Sequence, residues 1–378
     1  MTYLFVVVAA AAVTYLLTPA VRMLAMRVGA VTAVRARDVH TVPTPRMGGV
    51  AMYLGIVVSF LLVSQAQFLD GVFSNSTSEI VGVLGGAGLV CALGVLDDVY
   101  DLDWLTKLLG QILAAGFMAW QGVLLFQLPI AGQTTGSTGV LAVITIVVMV
   151  IGMNAVNFVD GLDGLAAGVL AIGGMAFLGY VYLLIKATNP SDYSNFGALV
   201  IAAVVGACVG FLPHNLAPAR IFMGDSGALM LGFMFSAATI IVTGNINLGA
   251  VNERVSFPVF VPIVLPLAVL VLPLLDMTIA VVRRVGQGHS PFHADRRHLH
   301  HRLLLLGHTE RRAVAIMYVW TAVLAFSVAA LVRFSERTVL VGLAVGVVVA
   351  TLLTIGPLRG RTAQTQNHPE NVDDHAAA

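Results

Sequence analysis

Apolar residues run almost unbroken through this chain, interrupted by short polar stretches rich in Asp, Asn, His and Arg. A helix needs about 17 to 25 apolar residues to cross a roughly 30 Å hydrocarbon core. Runs of that length predict eleven spans, at approximately 2–21, 47–66, 79–96, 105–126, 138–154, 163–185, 196–213, 227–244, 256–282, 313–332 and 338–356. The pattern therefore predicts an all-α polytopic integral membrane protein. The first run reads as a retained span rather than a cleaved signal, because no Lys or Arg precedes it and its first charge, Arg22, follows it. Residues 1–360 read as one transmembrane domain. The polar, aperiodic tail 361–378 is expected to be disordered.

Composition supports this reading. The 378 residues are 58% hydrophobic and 10% charged, with a mean hydropathy of +0.92, outside the range of ordinary soluble domains. A net charge of +1 conceals a strong asymmetry between the two sides of the membrane. Of the 20 Lys and Arg, only Lys186, Arg254, Arg333 and Arg337 fall on one side of the predicted topology. Cytoplasmic loops are enriched in these residues. The expectation is an amino terminus outside and a carboxyl terminus in the cytoplasm. Cys91 and Cys208 both fall inside apolar spans and read as packing residues, without support for a disulfide or thiolate site.

With loops this short, an active site has to be built from helix ends, and four polar clusters fall on the predicted cytoplasmic edge. In Asp97-Asp98-Val99-Tyr100-Asp101-Leu102, helical spacing would put Asp97 and Asp101 on one face. Carboxylates at a helix carboxyl end repel one another and oppose the helix dipole, so a cation is needed to offset them. The run from Asn154 to Leu165 lies between spans five and six and holds Asn154, Asn157, Asp160 and Asp163, with two Asp-Gly steps that permit close backbone approach to a ligand. Capping of the next helix accounts for one of these residues, not four. The run His214 to Gly227 includes Asn215, Arg220, Phe222 and Asp225, the last just before a span, where an aspartate either caps a helix or meets a ligand. The longest cytoplasmic loop carries His289, His293, Asp295, Arg296, Arg297, His298, His300, His301, Arg302 and His308. Interleaved arginines suit phosphate better than zinc. Arg283, Arg284, Arg311 and Arg312 are accounted for by the positive-inside rule. Hard oxygen ligands beside anion-binding groups favour Mg²⁺, with Mn²⁺ as the alternative ion, and phosphoryl transfer between a soluble donor and a lipid acceptor.

On these residues the chain resembles the polyprenyl-phosphate N-acetylhexosamine-1-phosphate transferases, specifically their N-acetylglucosamine branch. The likeness covers roughly residues 35 to 312. Its landmarks are His40 to Gly49, Asp97 to Leu102, Asn154 to Leu165, Asn215 to Gly227 and His298-Leu299-His300-His301. The resemblance implies that UDP-GlcNAc and polyprenyl phosphate (decaprenyl or undecaprenyl) give polyprenyl-diphospho-GlcNAc and UMP, with Mg²⁺, as a first membrane step of cell-envelope polysaccharide synthesis. It implies a multi-pass protein of the bacterial inner membrane with a cytoplasmic active site, leaves room for a homodimer, and gives no role to nucleic acid. By motif position, Asp225 looks like the main metal ligand, with Asp97 and Asp98 near the metal and the lipid phosphate, Asp98 also as a ligand, and Asp160 in the catalytic group. Asp163 and Phe222 resemble residues holding the uracil, with Asn215 nearby. His300 and His301 resemble donor-phosphate ligands, and Arg46, Asn157, Arg296, Arg297, His298 and Arg302 fall in the substrate-binding set. The sister branch, which transfers phospho-N-acetylmuramoyl-pentapeptide, usually shows three consecutive histidines where Leu299 interrupts the run. A bias toward Ala, Val, Arg and Gly suggests a GC-rich genome, for which decaprenyl phosphate would be the carrier.

A transporter is the competing class, and it predicts charges near mid-span rather than at one edge. Pro258, Pro262, Pro266 and Pro273 in the ninth span predict a bent helix opening a lipid groove near Asp276.

Overall fold

The computed structural model describes residues 2–31, 44–65, 76–125, 137–187, 194–244 and 306–355, with residue 73 and single or paired positions between 264 and 303. The described residues form ten helices: α1 (Thr2–Val28), α2 (Gly48–Val63), α3 (Thr77–Tyr100), α4 (Trp104–Trp120), α5 (Thr138–Val159), α6 (Leu165–Ala187), α7 (Ser194–Asn215), α8 (Gly224–Gly244), α9 (Glu310–Ala330) and α10 (Glu336–Ile355). Among these residues the only extended pairing is one bridge between Val31 and Pro45. Eight helices are long and apolar enough to cross a membrane, while α2 and α4 are shorter, at 16 and 17 residues. The chain is thus an all-helical, multi-pass membrane protein. The ninth predicted span, with its prolines and Asp276, falls almost wholly outside the described residues.

Helix α8 is the axis of the bundle. Some 94% of its apolar window is buried, against 11% for α10, so α8 is apolar all round because protein surrounds it on every side. It packs against α2, α3, α5 and α7. Helix α1 lies on α7 and α2, and α6 lies between α7 and α9. Gly94 lets α3 come close to α8, since a Cβ there would run into the backbone of Asp225 and Ser226. Small residues at such crossings are how membrane helices gain packing without a hydrophobic drive between them.

One tie between α1 and α7 follows directly from sequence. Pro19 lies inside α1 and has no N–H, so the carbonyl of Tyr15 one turn earlier loses its helical donor. His214, on the last turn of α7, supplies one: its Nε2 lies 3.1 Å from the Tyr15 carbonyl, and the two rings sit 4.8 Å apart. A carbonyl can only accept, so Nε2 carries the proton. His214 is a packing device rather than a member of the reacting site.

Several helices run past the ends expected from hydropathy. Helix α3 continues to Tyr100 rather than 96, and α5 to Val159 rather than 154. The apolar count stops at the first polar residue, but a helix carries polar residues wherever a partner meets them. The Asn154 to Leu165 run therefore starts as helix, with Asn154 and Asn157 on the last turns of α5. Asp101 corrects the expectation in the other direction. It is the left-handed C-cap of α3, with φ 54° and its side chain exposed, so it shares no helical face with Asp97.

Candidate functional site

The starts of α2, α4, α6, α8 and α9 and the ends of α1, α3, α5 and α7 meet at one edge of the bundle. The first backbone donors of α2 have no side-chain cap. They are satisfied by chain neighbours instead: Gly48 N–H reaches Phe222 O and Gly49 N–H reaches Met223 O, both at 3.0 Å, while Phe222 N–H reaches Pro45 O at 2.8 Å. Residues 45–49 and 222–223 are thereby zipped together. Arg46 is held further by its N–H on Ala30 O at 2.9 Å.

Against this scaffold stands a cluster of carboxylates with one ammonium among them. Asp98 accepts the N–H groups of Asp225 at 3.0 Å and Ser226 at 3.3 Å, one on each oxygen. It caps α8 from another helix. Gly224, with φ 70°, starts α8, and a Cβ on it would collide with the Asp98 carboxylate. Because α8 begins at Gly224, Asp225 is already inside the helix and does not occupy the N-cap position. Its side chain faces the cluster: Oδ1 accepts from Asn157 Nδ2 at 2.9 Å and Oδ2 lies 3.3 Å from Lys107 Nζ. Lys107 also pairs with Asp97 Oδ2 at 2.7 Å, while Asp97 Oδ1 accepts the Leu102 N–H at 2.8 Å.

The positive amino end of α8 and Lys107 thus supply part of the cation that Asp97 and Asp98 require. Asp160 is half-buried at the end of α5. Burial, and then the carboxylates of Asp225 and Asp98, push its pKa up to about 7 against the opposing pull of Arg46.

A second polar group lies beside the first. Asp163 Oδ2 accepts the Ala219 N–H at 2.8 Å. Asn215 accepts the Gly164 N–H at 3.1 Å and donates to Ile221 O at 3.0 Å. Its amide therefore stitches the loop before α6 to the loop before α8. Helix α9 grips both loops: Arg311 donates to Ala217 O through Nε at 3.1 Å and Nη2 at 2.7 Å, and the Tyr318 hydroxyl donates to Gly164 O. The positive-inside rule is therefore not the whole account of Arg311. Phe222, half-buried and backbone-pinned, borders this group.

The structure brings together Arg46, Asp97, Asp98, Asn157, Asp160, Asp163, Asn215, Phe222 and Asp225 at one edge. Arg296, Arg297, His298, His300, His301 and Arg302 lie outside the described residues. Among the described residues, no three His, Cys, Asp or Glu side chains form a ready metal cage. The donor set nonetheless fits Mg²⁺, which is commonly held by one or two carboxylates together with substrate phosphates. Sequence reasoning missed Lys107, although a lysine one turn inside an apolar helix, after the N-cap Asp103 that accepts from Leu105 and Thr106, was a visible signal. Gln111 and Tyr318 were missed because nothing in a single sequence marks them.

A membrane-embedded bundle with acidic groups and an ammonium gathered at one edge is the construction of an enzyme acting at the lipid–water boundary. Comparison with other proteins narrows the class. A family profile described as Glycosyl transferase family 4 matches residues 80–243, the stretch from α3 to α8 that carries the carboxylate cluster. A decaprenyl-phosphate N-acetylglucosaminephosphotransferase of Mycolicibacterium smegmatis is 42% identical over 365 residues, 95% of this chain and 89% of the relative. A probable undecaprenyl-phosphate N-acetylglucosaminyl 1-phosphate transferase of Bacillus subtilis is 29% identical over 319 residues, 84% and 81% of the two chains. A phospho-N-acetylmuramoyl-pentapeptide-transferase of Desulforudis audaxviator is 32% identical over 308 residues, 77% and 85%. The chain belongs to glycosyl transferase family 4, and the relatives it matches are phosphotransferases of that type.

Proposed function

We propose that this protein transfers N-acetylglucosamine 1-phosphate from UDP-GlcNAc to polyprenyl phosphate, most readily decaprenyl phosphate, releasing UMP. The observation that carries the reading is the linked cluster of Asp97, Asp98, Lys107, Asn157 and Asp225 at the bundle edge, where a soluble diphosphate and a lipid phosphate can meet. The N-acetylglucosamine branch is favoured over the muramoyl branch by the 42% likeness across 95% of the chain, against 32% across 77%. The reading includes eleven spans, an outer amino terminus and a cytoplasmic site, supported by the distribution of Lys and Arg. A transporter is disfavoured because Asp97, Asp98, Lys107 and Asp225 sit at helix ends rather than at mid-span.

An oxygen of the lipid phosphate attacks the sugar-bearing phosphorus, and the bond to the bridging oxygen breaks as UMP leaves. The acceptor needs little activation, because a monoalkyl phosphate is largely dianionic at neutral pH. Asp97 and Asp98 already hold hydrogen bonds on both oxygens, which supports assistance by these groups rather than an acyl-phosphate intermediate. Lys107 places a fixed positive charge where phosphate oxygens gather. Asp163, Asn215 and Phe222 hold the nucleoside end beside it. Asp225 would hold Mg²⁺ together with Asp97 rather than the Asp98 expected from the sequence, because both Asp98 oxygens take the first N–H groups of α8; Asp160 lies nearby, and when bound the ion supplies charge neutralisation of the diphosphate.

The test is purified protein with UDP-GlcNAc and decaprenyl phosphate, scored for UMP. Lipid-dependent release with UDP-GlcNAc, and none with UDP-N-acetylmuramoyl-pentapeptide, is the expected result. Release without lipid, or only with the muramoyl donor, contradicts the reading.

A further inference from the structure

One turn below the carboxylate cluster, the same two helices that deliver Lys107 and Asn157 are joined again. Gln111 on α4 is 2% exposed, and its Oε1 accepts from Asn154 Nδ2 on α5 at 2.7 Å. The other Asn154 proton goes to Val150 O at 2.8 Å. Both protons of this amide therefore have acceptors, which fixes its orientation: flipped, its oxygen would face two other oxygens. Helix α4 starts at the site edge and α5 ends there, so the two run in opposite directions. At 1.5 Å per residue, Gln111 lies about 6 Å deeper than Lys107, and Asn154 about 4.5 Å deeper than Asn157. The result is a ladder of two rungs between α4 and α5. The upper rung passes through Asp225, with Lys107 on one oxygen and Asn157 on the other, and the lower rung is direct.

An amide pair inside a membrane bundle, with Gln111 buried and Asn154 half-buried, has to be accounted for, since apolar residues of similar size would pack there without any polar group to satisfy. Plain interhelical adhesion is a weak reason, because such bonds contribute only modestly between membrane helices. Position is a stronger one. The upper rung is split between one ammonium and one amide on a single carboxylate, and its geometry depends on how far apart α4 and α5 stand.

We propose that Gln111 and Asn154 are positioning residues, their hydrogen bond fixing the separation of α4 and α5 so that Lys107 and Asn157 are held on opposite oxygens of Asp225. The inference rests on the carboxylate cluster being the reacting centre. A displacement of about 1 Å at a reacting group can cost on the order of a hundredfold in rate, so even partial slackening of the lower rung is measurable.

The experiment uses the full chain in detergent, assayed with UDP-GlcNAc and decaprenyl phosphate. Four variants are compared: Gln111→Met, Asn154→Leu, the apolar pair of both, and the exchange Gln111→Asn with Asn154→Gln, which keeps the bond and the combined side-chain length. Each single variant leaves one amide of the pair without its partner and so should lower the thermal unfolding midpoint modestly, while losing at least about tenfold in kcat with both KM values within about twofold. The exchange should recover most of kcat. The apolar pair, which leaves no buried donor without an acceptor, should fold and yet stay slow. Single variants at full kcat overturn the proposal, as does an exchange no better than the singles. An apolar pair restored to full turnover also overturns it, because adhesion alone would then suffice. Wild-type protein is measured in parallel. If it releases no lipid-dependent UMP, the transferase reading falls and this proposal with it, whereas an active wild type with unaffected variants removes only the positioning role.

Discussion

Asp225→Asn separates what holds the bundle together from what performs the reaction. The change removes one charge without altering shape. In the structure Asp225 Oδ1 accepts from Asn157 at 2.9 Å, and an asparagine oxygen can keep that bond. The opposite oxygen, 3.3 Å from Lys107 Nζ, becomes an amide NH₂ facing an ammonium, two donors together. Lys107 keeps its 2.7 Å pair with Asp97, so it does not become an isolated charge. The Lys107–Asp225 pair is partly exposed, at 27% and 24%, so losing it should cost about 1 kcal/mol of stability or less. Capping is not at issue, because Asp98 supplies the acceptors for the start of α8. Turnover is another matter: charge stabilisation at a phosphoryl centre is worth several kcal/mol, and 2.7 kcal/mol is about a hundredfold.

Asp98→Asn should differ from Asp225→Asn in costing stability as well as turnover. One of its oxygens becomes a donor facing the Asp225 or Ser226 N–H, leaving a buried backbone donor unsatisfied at about 1–3 kcal/mol. The assay is lipid-dependent UMP release, read beside thermal unfolding in detergent. Asp225→Asn with near-normal turnover and an unchanged Mg²⁺ requirement would refute the assignment of Asp225 as the ligand. Equal loss of stability in both variants would refute the division of labour.

Four further outcomes follow from named contacts. Lys107→Met should lower turnover by at least about a hundredfold and also lower the unfolding midpoint, because Asp97, whose side chain is only 5% exposed, loses its counter-ion; turnover within a few fold of wild type removes Lys107 from the centre. Gly94→Ala, whose methyl would strike the backbone of Asp225 and Ser226, should fail to give a monodisperse peak on size-exclusion chromatography, and a well-folded, active product would show that α3 and α8 can part. His214→Ala leaves the Tyr15 carbonyl without its donor and should lower stability by about 1–3 kcal/mol at unchanged kcat; a selective kcat loss would make His214 part of the chemistry. Tyr318→Phe removes the hydroxyl on Gly164 O and should raise the donor KM by roughly two- to tenfold, the equivalent of about 0.5–1.5 kcal/mol, leaving the lipid KM unchanged; a matching rise in both KM values would place its effect elsewhere.

Hydropathy made the helices legible because a helix in lipid must satisfy its own backbone and show apolar side chains. Counting sides of the membrane then brought Asp97, Asn157, Asp163 and Asp225 to one edge before any contact was visible. Two things were not legible. Helix ends were placed at the first polar residue, so Asn154 and Asn157 were read as loop, and the turn that carries Asn154 to Gln111 of α4 and Asn157 to Asp225 of α8 went unseen. Lys107 was counted as one charge among 20, because a sum over sides of a membrane ignores which way a side chain faces. Its two carboxylate partners lie 10 residues before it and 118 after it, and only packing could reveal the second.

The charge within the cluster also bears on why a divalent ion suits it. Asp97, Asp98 and Asp225 carry three negative charges, Lys107 one positive, so two negative charges remain before any substrate arrives. The amino end of α8 offsets about half a charge. Burial, and then the carboxylates of Asp225 and Asp98, push the pKa of Asp160 up to about 7 against the pull of Arg46. Both substrates of the proposed reaction are anions, a diphosphate and a phosphate monoester. Brought up to this edge alone, they would meet repulsion from the groups meant to hold them. One divalent cation held by Asp225 and Asp97 would cancel the residual charge of the cluster and let the phosphates approach. The acidic edge is therefore not a phosphate site in itself. On the proposed reading a cation would convert it, and the cation would then have to bind with or before the donor.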